Sequence, residues 1–230
     1  MEVIVAKTAG FCFGVDNAVK MAFELLESDN SKIYTIGPII HNKQVVDKLS
    51  DSGVKVTENV DGIEENGTVV IRAHGVSPEV YKQIEDKNLK LNDATCPYVK
   101  KIHKLVEEKY REGYGIIIVG DKNHPEVEGI NGWCDNTAYI VNSEEDVERL
   151  EGSNNKYCVV AQTTITKEKW DKIYRILENK FANVIKFDTI CSATSRRQNE
   201  ATEIARNVDM MVVLGGKNSS NTQKLYEICK

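Results

Sequence analysis

The sequence has no long uncharged apolar run, no basic stretch leading into an apolar one near its start, no block of lysines and arginines, and no Cys-x-x-Cys pair. The first two absences argue against a membrane span and a secretory leader, so a cytoplasmic protein with no membrane partner is expected. The third, with a formal net charge of -5, argues against nucleic acid as the main partner. The last argues against an ordinary structural zinc site, which takes its cysteines in close pairs. Linkers and low-complexity segments are also missing. The acidic, turn-rich stretches TENVDGIEENGTV (57–69) and NSEEDVERLEGSNNKY (142–157) read as connectors inside the first and second lobes of the repeat described next.

What is present is a repeat. Cys12, Cys96 and Cys191 recur at intervals of 84 and 95 residues, each after a strand-like apolar run and before a helix-like one. Gly37, Gly120 and Gly215 follow them by 25, 24 and 24 residues, closing the runs KIYTIG, GIIIVG and MMVVLG. Short apolar runs ending in glycine predict buried parallel strands. Four residues past each glycine stands a polar cluster: His41-Asn42, His124-Pro125-Glu126 and Ser219-Ser220-Asn221. Two further strands, TVVIRAHG and YCVVAQTT, deliver His74 and Thr163-Thr164, and Ser77-Pro78 and Thr166 then read as helix starts. The same intervals counted from Gly215 fall near 252 to 258, past Lys230, so the third copy is expected to be incomplete.

With 230 residues, 41% hydrophobic and 28% charged, the chain can bury a substantial core. The alternation of strand and helix predicts an α/β fold of three small lobes with parallel sheets, related by a pseudo-threefold axis around a central site. The lobes would span residues 14–96, residues 97–191, and residues 1–13 with 192–230. The segment VKKIHKLVEEKYREG reads as an ordinary solvated helix, with Val99, Ile102, Val106 and Tyr110 as its buried stripe and His103 as a structural or surface residue.

A lone cysteine after a strand is commonly a small buried hydrophobe. Three at equivalent places in a repeat converge if they lie near its axis, and each precedes a helix N-terminus that favours thiolate. Three soft sulfur ligands suit zinc with a fourth ligand, or an iron-sulfur cluster with one iron open, and the cluster is preferred here. Cys158 reads as core, and Cys134 and Cys229 have no assigned role. His41, His74, His124, Thr163, Ser219 and Asn221 at strand ends suit an anionic, oxygen-rich group such as a diphosphate. Glu126 beside a bound anion makes sense as a proton donor with a raised pKa, the alternative being a cap on the helix that follows.

The segments AGFCFGV, GPIIHN, RAHGV, DATCP, NHPEVEG, QTT, ICSATSRRQ and KNSSN stand in order from Ala9 to Asn221. Together they resemble the signature segments of the 4-hydroxy-3-methylbut-2-enyl diphosphate reductase family, the last step of non-mevalonate isoprenoid synthesis. The resemblance implies a four-iron four-sulfur cluster on Cys12, Cys96 and Cys191, with one iron open to the substrate oxygen. It implies that His41, His74, His124, Ser219 and Asn221, with Ser220 beside them, hold the diphosphate. Thr163 would orient the substrate hydroxyl and Glu126 would supply protons. Two one-electron reductions would then remove the hydroxyl as water and yield isopentenyl or dimethylallyl diphosphate, with ferredoxin or flavodoxin as electron donor. The family pattern continues past SSN through more helix and strand, where the repeat also has its gap. Rival readings are a quinolinate synthase-like cluster enzyme, a non-catalytic iron-sulfur or zinc sensor, and a three-lobed scaffold with buried cysteines.

Overall fold

The runs KIYTIG, TVVIRAHG, GIIIVG and YCVVAQTT form strands because their side chains find apolar layers on both faces. A computed structural model describes residues 2–29, 31–152 and 155–230 of the chain; Met1 of the first apolar run and Ser153-Asn154 of the second connector lie outside the described residues. The first half carries α1 (Phe13–Ser28), β1 (Ile33–Ile36), α2 (Lys43–Asp51), β2 (Lys55–Thr57), β3 (Thr68–Ile71), α3 (Pro78–Asp86) and β4 (Lys90–Asp93). The second carries α4 (Pro97–Arg111), β5 (Gly115–Val119), α5 (Pro125–Gly132), β6 (Tyr139–Val141), α6 (Glu144–Glu148), β7 (Tyr157–Ala161), α7 (Lys167–Lys180) and β8 (Val184–Lys186). Two helices follow, α8 (Ser192–Ala205) and α9 (Ser220–Cys229).

The strands make two four-stranded sheets, in the orders β2-β1-β3-β4 and β6-β5-β7-β8. Every pairing is parallel. The α/β class is therefore as expected, with four strands per sheet where the motifs had revealed two. In the second sheet Ile117, Val119, Val159 and Ala161 face one apolar cluster with Trp170 and Leu177, while Ile116, Ile118, Cys158 and Val160 face another with Ile102 and Val106. This period of two explains why the central strands read as unbroken apolar runs. Each fully buried Ile or Val contributes roughly 1.5–3 kcal/mol. Cys158 is core, as expected. The α4 stripe is also as expected, with Val99, Ile102 and Val106 buried and Tyr110 packed beside them. His103 is structural, buried and stacked on Trp133 at 5.2 Å between ring centroids.

One expectation fails. MMVVLG is not a buried strand, and the run before Cys12 is not a strand either: residues 2–6 and 210–214 have no regular secondary structure. Among the described residues neither segment has a neighbouring strand to take its backbone N–H and C=O groups. Most of their side chains are exposed, Val3 at 73% and Leu214 at 89%. The third part of the chain thus contributes α8 and α9, and no sheet among the described residues.

Candidate active site

In both sheets the chain leaves one central strand in one direction and the other in the opposite direction, so β1/β3 and β5/β7 are topological switch points. Crevices for ligands open at the carboxyl ends of such strand pairs. The loops after these four strands carry His41, His74, His124 and Thr163. Gly37 and Gly75 hold positive φ, +68° and +72°, in the turns that aim the first two. Glycine, with no Cβ, takes that conformation at least cost.

The two halves meet through small residues. A Cβ on Gly132 of α5 would lie 2.2 Å from the Cβ of Ser77, and Trp133 Nε1 donates to the Val76 carbonyl at 3.1 Å. This close seat brings the histidines together: ring centroids are 4.4 Å apart for His41 and His74, and 5.4 Å for each of them with His124.

All three rings are buried enough to be neutral. Burial, helped by Arg72, holds His41 below its ordinary range. Burial and then the neighbouring His41, His124 and Arg72 hold His74 well below it. His124 is pushed down to about 4, mainly by burial and then by His41. His41 Nε2 and His74 Nδ1 are buried and have no partner. Orphaned buried polar atoms of this kind call for a ligand. Donor atoms of the trio lie within 4.8 Å of one another, close enough to suggest a metal ion. The tautomer of His124 speaks for an anion instead. His124 caps α5 by accepting the Glu126 N–H on Nδ1 at 3.1 Å, which leaves Nε2 to carry the proton and act as a donor.

Glu126 does not cap α5. Its carboxylate is buried, 3% exposed, and accepts the Thr163 N–H at 2.6 Å and the Thr163 hydroxyl at 2.7 Å. Burial raises its pKa, against the pull of the two Thr163 donors. The two residues assigned separate tasks from sequence are therefore one hydrogen-bonded pair.

The thiols arrive on three helix N-termini: Cys12, Cys96 and Cys191 are the N-cap residues of α1, α4 and α8, and none spends its sulfur on a capping hydrogen bond. Burial pushes the Cys96 thiol up, the charges of Cys12 and Cys191 push it further, and the nearby N–H groups of Tyr98 and Val99 at the α4 N-terminus pull it the other way. A cationic metal would draw three such sulfurs together as thiolates. Two ligands of a single zinc ion stand no more than about 4.6 Å apart. Among the described residues only the histidines form a group of three His, Cys, Asp or Glu within 4.8 Å, so the sulfurs are spread wider than one ion requires. A multinuclear cluster fits that donor set.

Thiols, histidines and the Glu126–Thr163 pair all line one cavity of about 390 Å³. Ser219, Ser220 and Asn221 line it too, although no strand precedes them. Ser219 caps α9 through the Thr222 N–H, and Ser220 Oγ lies 2.8 Å from Thr164 Oγ1. Every sequence-assigned site residue is thus brought to one place. Cys134, buried with its thiol toward the Asn131 carbonyl, and Cys229 are elsewhere.

Three residues escaped the sequence reading. Arg197 donates to the carbonyls of Thr8 and Gly10, and Glu200 accepts from Lys7 and Thr8, so α8 clasps the strandless segment before Cys12. Arg72 lies behind the histidines, donating from Nε to the Gly75 carbonyl at 3.5 Å. Arg197 and Arg72 sit inside motifs already recognised, ICSATSRRQ and RAHGV, but nothing in their spacing marked a task.

Residues 3–230 match the family described as LytB protein. The chain belongs to the LytB family. Relatives of this LytB-family chain include proteins named 4-hydroxy-3-methylbut-2-enyl diphosphate reductase from Alkaliphilus oremlandii, 52% identical over 100% of this chain and 82% of the relative, and from Clostridioides difficile, 50% identical over 100% and 83%. The solved structure of E-1-hydroxy-2-methyl-but-2-enyl-4-diphosphate reductase from Plasmodium falciparum superposes with a TM-score of 0.91 at 34% identity, covering 96% of this chain and 70% of that one. The resemblance drawn from the motifs is borne out, and the quinolinate synthase, sensor and scaffold readings are set aside. Among the described residues no helix is long and apolar enough to cross a membrane.

Proposed function

We propose that this chain is a 4-hydroxy-3-methylbut-2-enyl diphosphate reductase. Its substrate would lose the allylic hydroxyl as water and gain a C–H bond, taking up two electrons and two protons, to give isopentenyl and dimethylallyl diphosphate. The observation that carries this reading is one cavity faced by three uncapped thiols, a neutral histidine trio and a buried acid.

Cys12, Cys96 and Cys191 would hold a four-iron four-sulfur cluster, whose open iron and one-electron chemistry supply the reducing power when it is bound. The protein's own groups divide the remaining work. His41 Nε2, His74 Nδ1 and His124 Nε2 present buried hydrogen-bonding nitrogens to the phosphoryl oxygens, with Ser219, Ser220 and Asn221 adding polar groups on the far side. Neutral donors in a dry pocket bind an anion at less desolvation cost than buried charges. Glu126, its pKa raised by burial, holds a proton at Oε beside Thr163, and Thr163 Oγ1 orients the leaving hydroxyl. Ile40, Ala73 and Val99 give the cavity a buried apolar side, which would limit bulk water at the reduced substrate. We infer a cytoplasmic enzyme drawing electrons from a ferredoxin or flavodoxin.

The test is anaerobic purification with iron and sulfide analysis, followed by turnover with a chemically reduced dye. Four irons per chain and conversion of the allylic diphosphate are expected. Stoichiometric zinc without iron would end the proposal.

A further inference from the structure

Among the described residues Arg72 has no carboxylate at ion-pair distance, and the acidic charge it feels is the more distant, exposed Glu128. Arg72 is partly buried, and its one hydrogen bond among those residues is the long one to the Gly75 carbonyl. Burying a charge costs free energy unless something compensates it. Arg72 does not line the cavity. It lies one layer behind, between the two turns that carry His41 and His74: a Cβ on Gly37 would meet its Nη1 at 2.6 Å, and its Nε reaches Gly75. Its field reaches all three imidazoles. The other charges near this group are Asp121, felt by His124, Glu128, felt by Arg72, and the buried Glu126 on the same helix.

We propose that Arg72 is a positioning residue for the anion: its fixed charge makes a trio of neutral rings attract a diphosphate, and its guanidinium holds the His41 and His74 turns in register. This rests on the reading that the trio takes the diphosphate. The anion then supplies the missing counter-charge through the imidazoles, which pass hydrogen bonds where Arg72 itself does not reach. A neutral ring layer with one cation behind it also explains how the site attracts an anion without spending a charged side chain beside the reacting carbon.

The experiment measures inhibition by inorganic pyrophosphate, and KM and kcat for the allylic diphosphate, in cluster-loaded protein. Arg72→Gln should raise both KM and the pyrophosphate inhibition constant about tenfold or more and leave kcat within about twofold, the signature of lost ground-state binding. Arg72→Lys, which restores charge without the planar fork, should recover most of that affinity. Glu128 is exposed, so Glu128→Gln cannot disturb the core, and removing its charge should tighten pyrophosphate about twofold. Unchanged inhibition constants in Arg72→Gln and Glu128→Gln would overturn the inference, as would an equal fall in kcat and affinity that Lys fails to rescue. If pyrophosphate does not compete even in the unsubstituted protein, the diphosphate reading itself fails, a result separable from either of these.

Discussion

The two sheet-bearing halves have the same strand order, the same parallel pairing and the same placement of polar loops at the switch point, yet they deliver different chemistry. The first half sends in His41 and His74, both suited to holding an anion. The second sends in His124 and also the Glu126–Thr163 pair, with the one buried acid of the site among the described residues. A duplicated scaffold therefore fixes where groups arrive and leaves each half free to specify what arrives. The difference lies in a few residues after the strands, which cost the fold little to vary because loops carry few core contacts.

That division of labour can be broken from either side. Glu126→Gln keeps the size and the Thr163 contact but removes the proton, and should lower kcat by about 10²- to 10⁴-fold with KM within a few-fold, measured by steady-state turnover under anaerobic conditions. A variant at near-normal rate would take the acid role away from the second half. Arg197→Met removes two hydrogen bonds to the Thr8 and Gly10 carbonyls. It should shorten the lifetime of bound iron several-fold on exposure to a chelator, while far-ultraviolet circular dichroism stays unchanged.

The seam between the halves is sensitive at Gly132, where a methyl group would collide with Ser77. Gly132→Ala should cost about 1–3 kcal/mol in urea unfolding and raise KM by parting His74 from His124. The smallest expected effect concerns His103, whose pKa burial pushes down to about 4. Unfolding lets that ring return to about 6.5. The unfolded chain thus binds more protons between those values, so the His103 contribution is fully present above about pH 6.5 and is lost as pH falls toward 4. In His103→Phe, which keeps an aromatic ring against Trp133, the urea midpoint should fall less steeply across that window.

Much of this was legible in the sequence because it is repeated. The runs GIIIVG and YCVVAQTT announce strands by composition, and strands buried on both faces need no alternation to be seen. The cysteine and histidine positions followed from counting. β2 and β4 escaped because edge strands are short and half exposed, so Lys55–Thr57 and Lys90–Asp93 lack an apolar run. MMVVLG misled for the opposite reason: its composition suits a strand, but strand formation is decided by a neighbour that no local pattern reports. The Glu126–Thr163 bond joins residues 37 positions apart, and the Arg72 and Arg197 roles depend on backbone carbonyls, which the sequence does not display.

The clasp of α8 on the N-terminal segment sets an order of failure. Cys96 follows a strand end locked into a sheet, whereas Cys12 follows residues 2–11, whose side-chain hydrogen bonds to α8 among the described residues run through Arg197 and Glu200. If the three sulfurs carry the proposed cluster, its wear by air, acid or chelator should therefore start with Cys12 letting go, and the earliest damaged species would be one still gripped by the other two sulfurs.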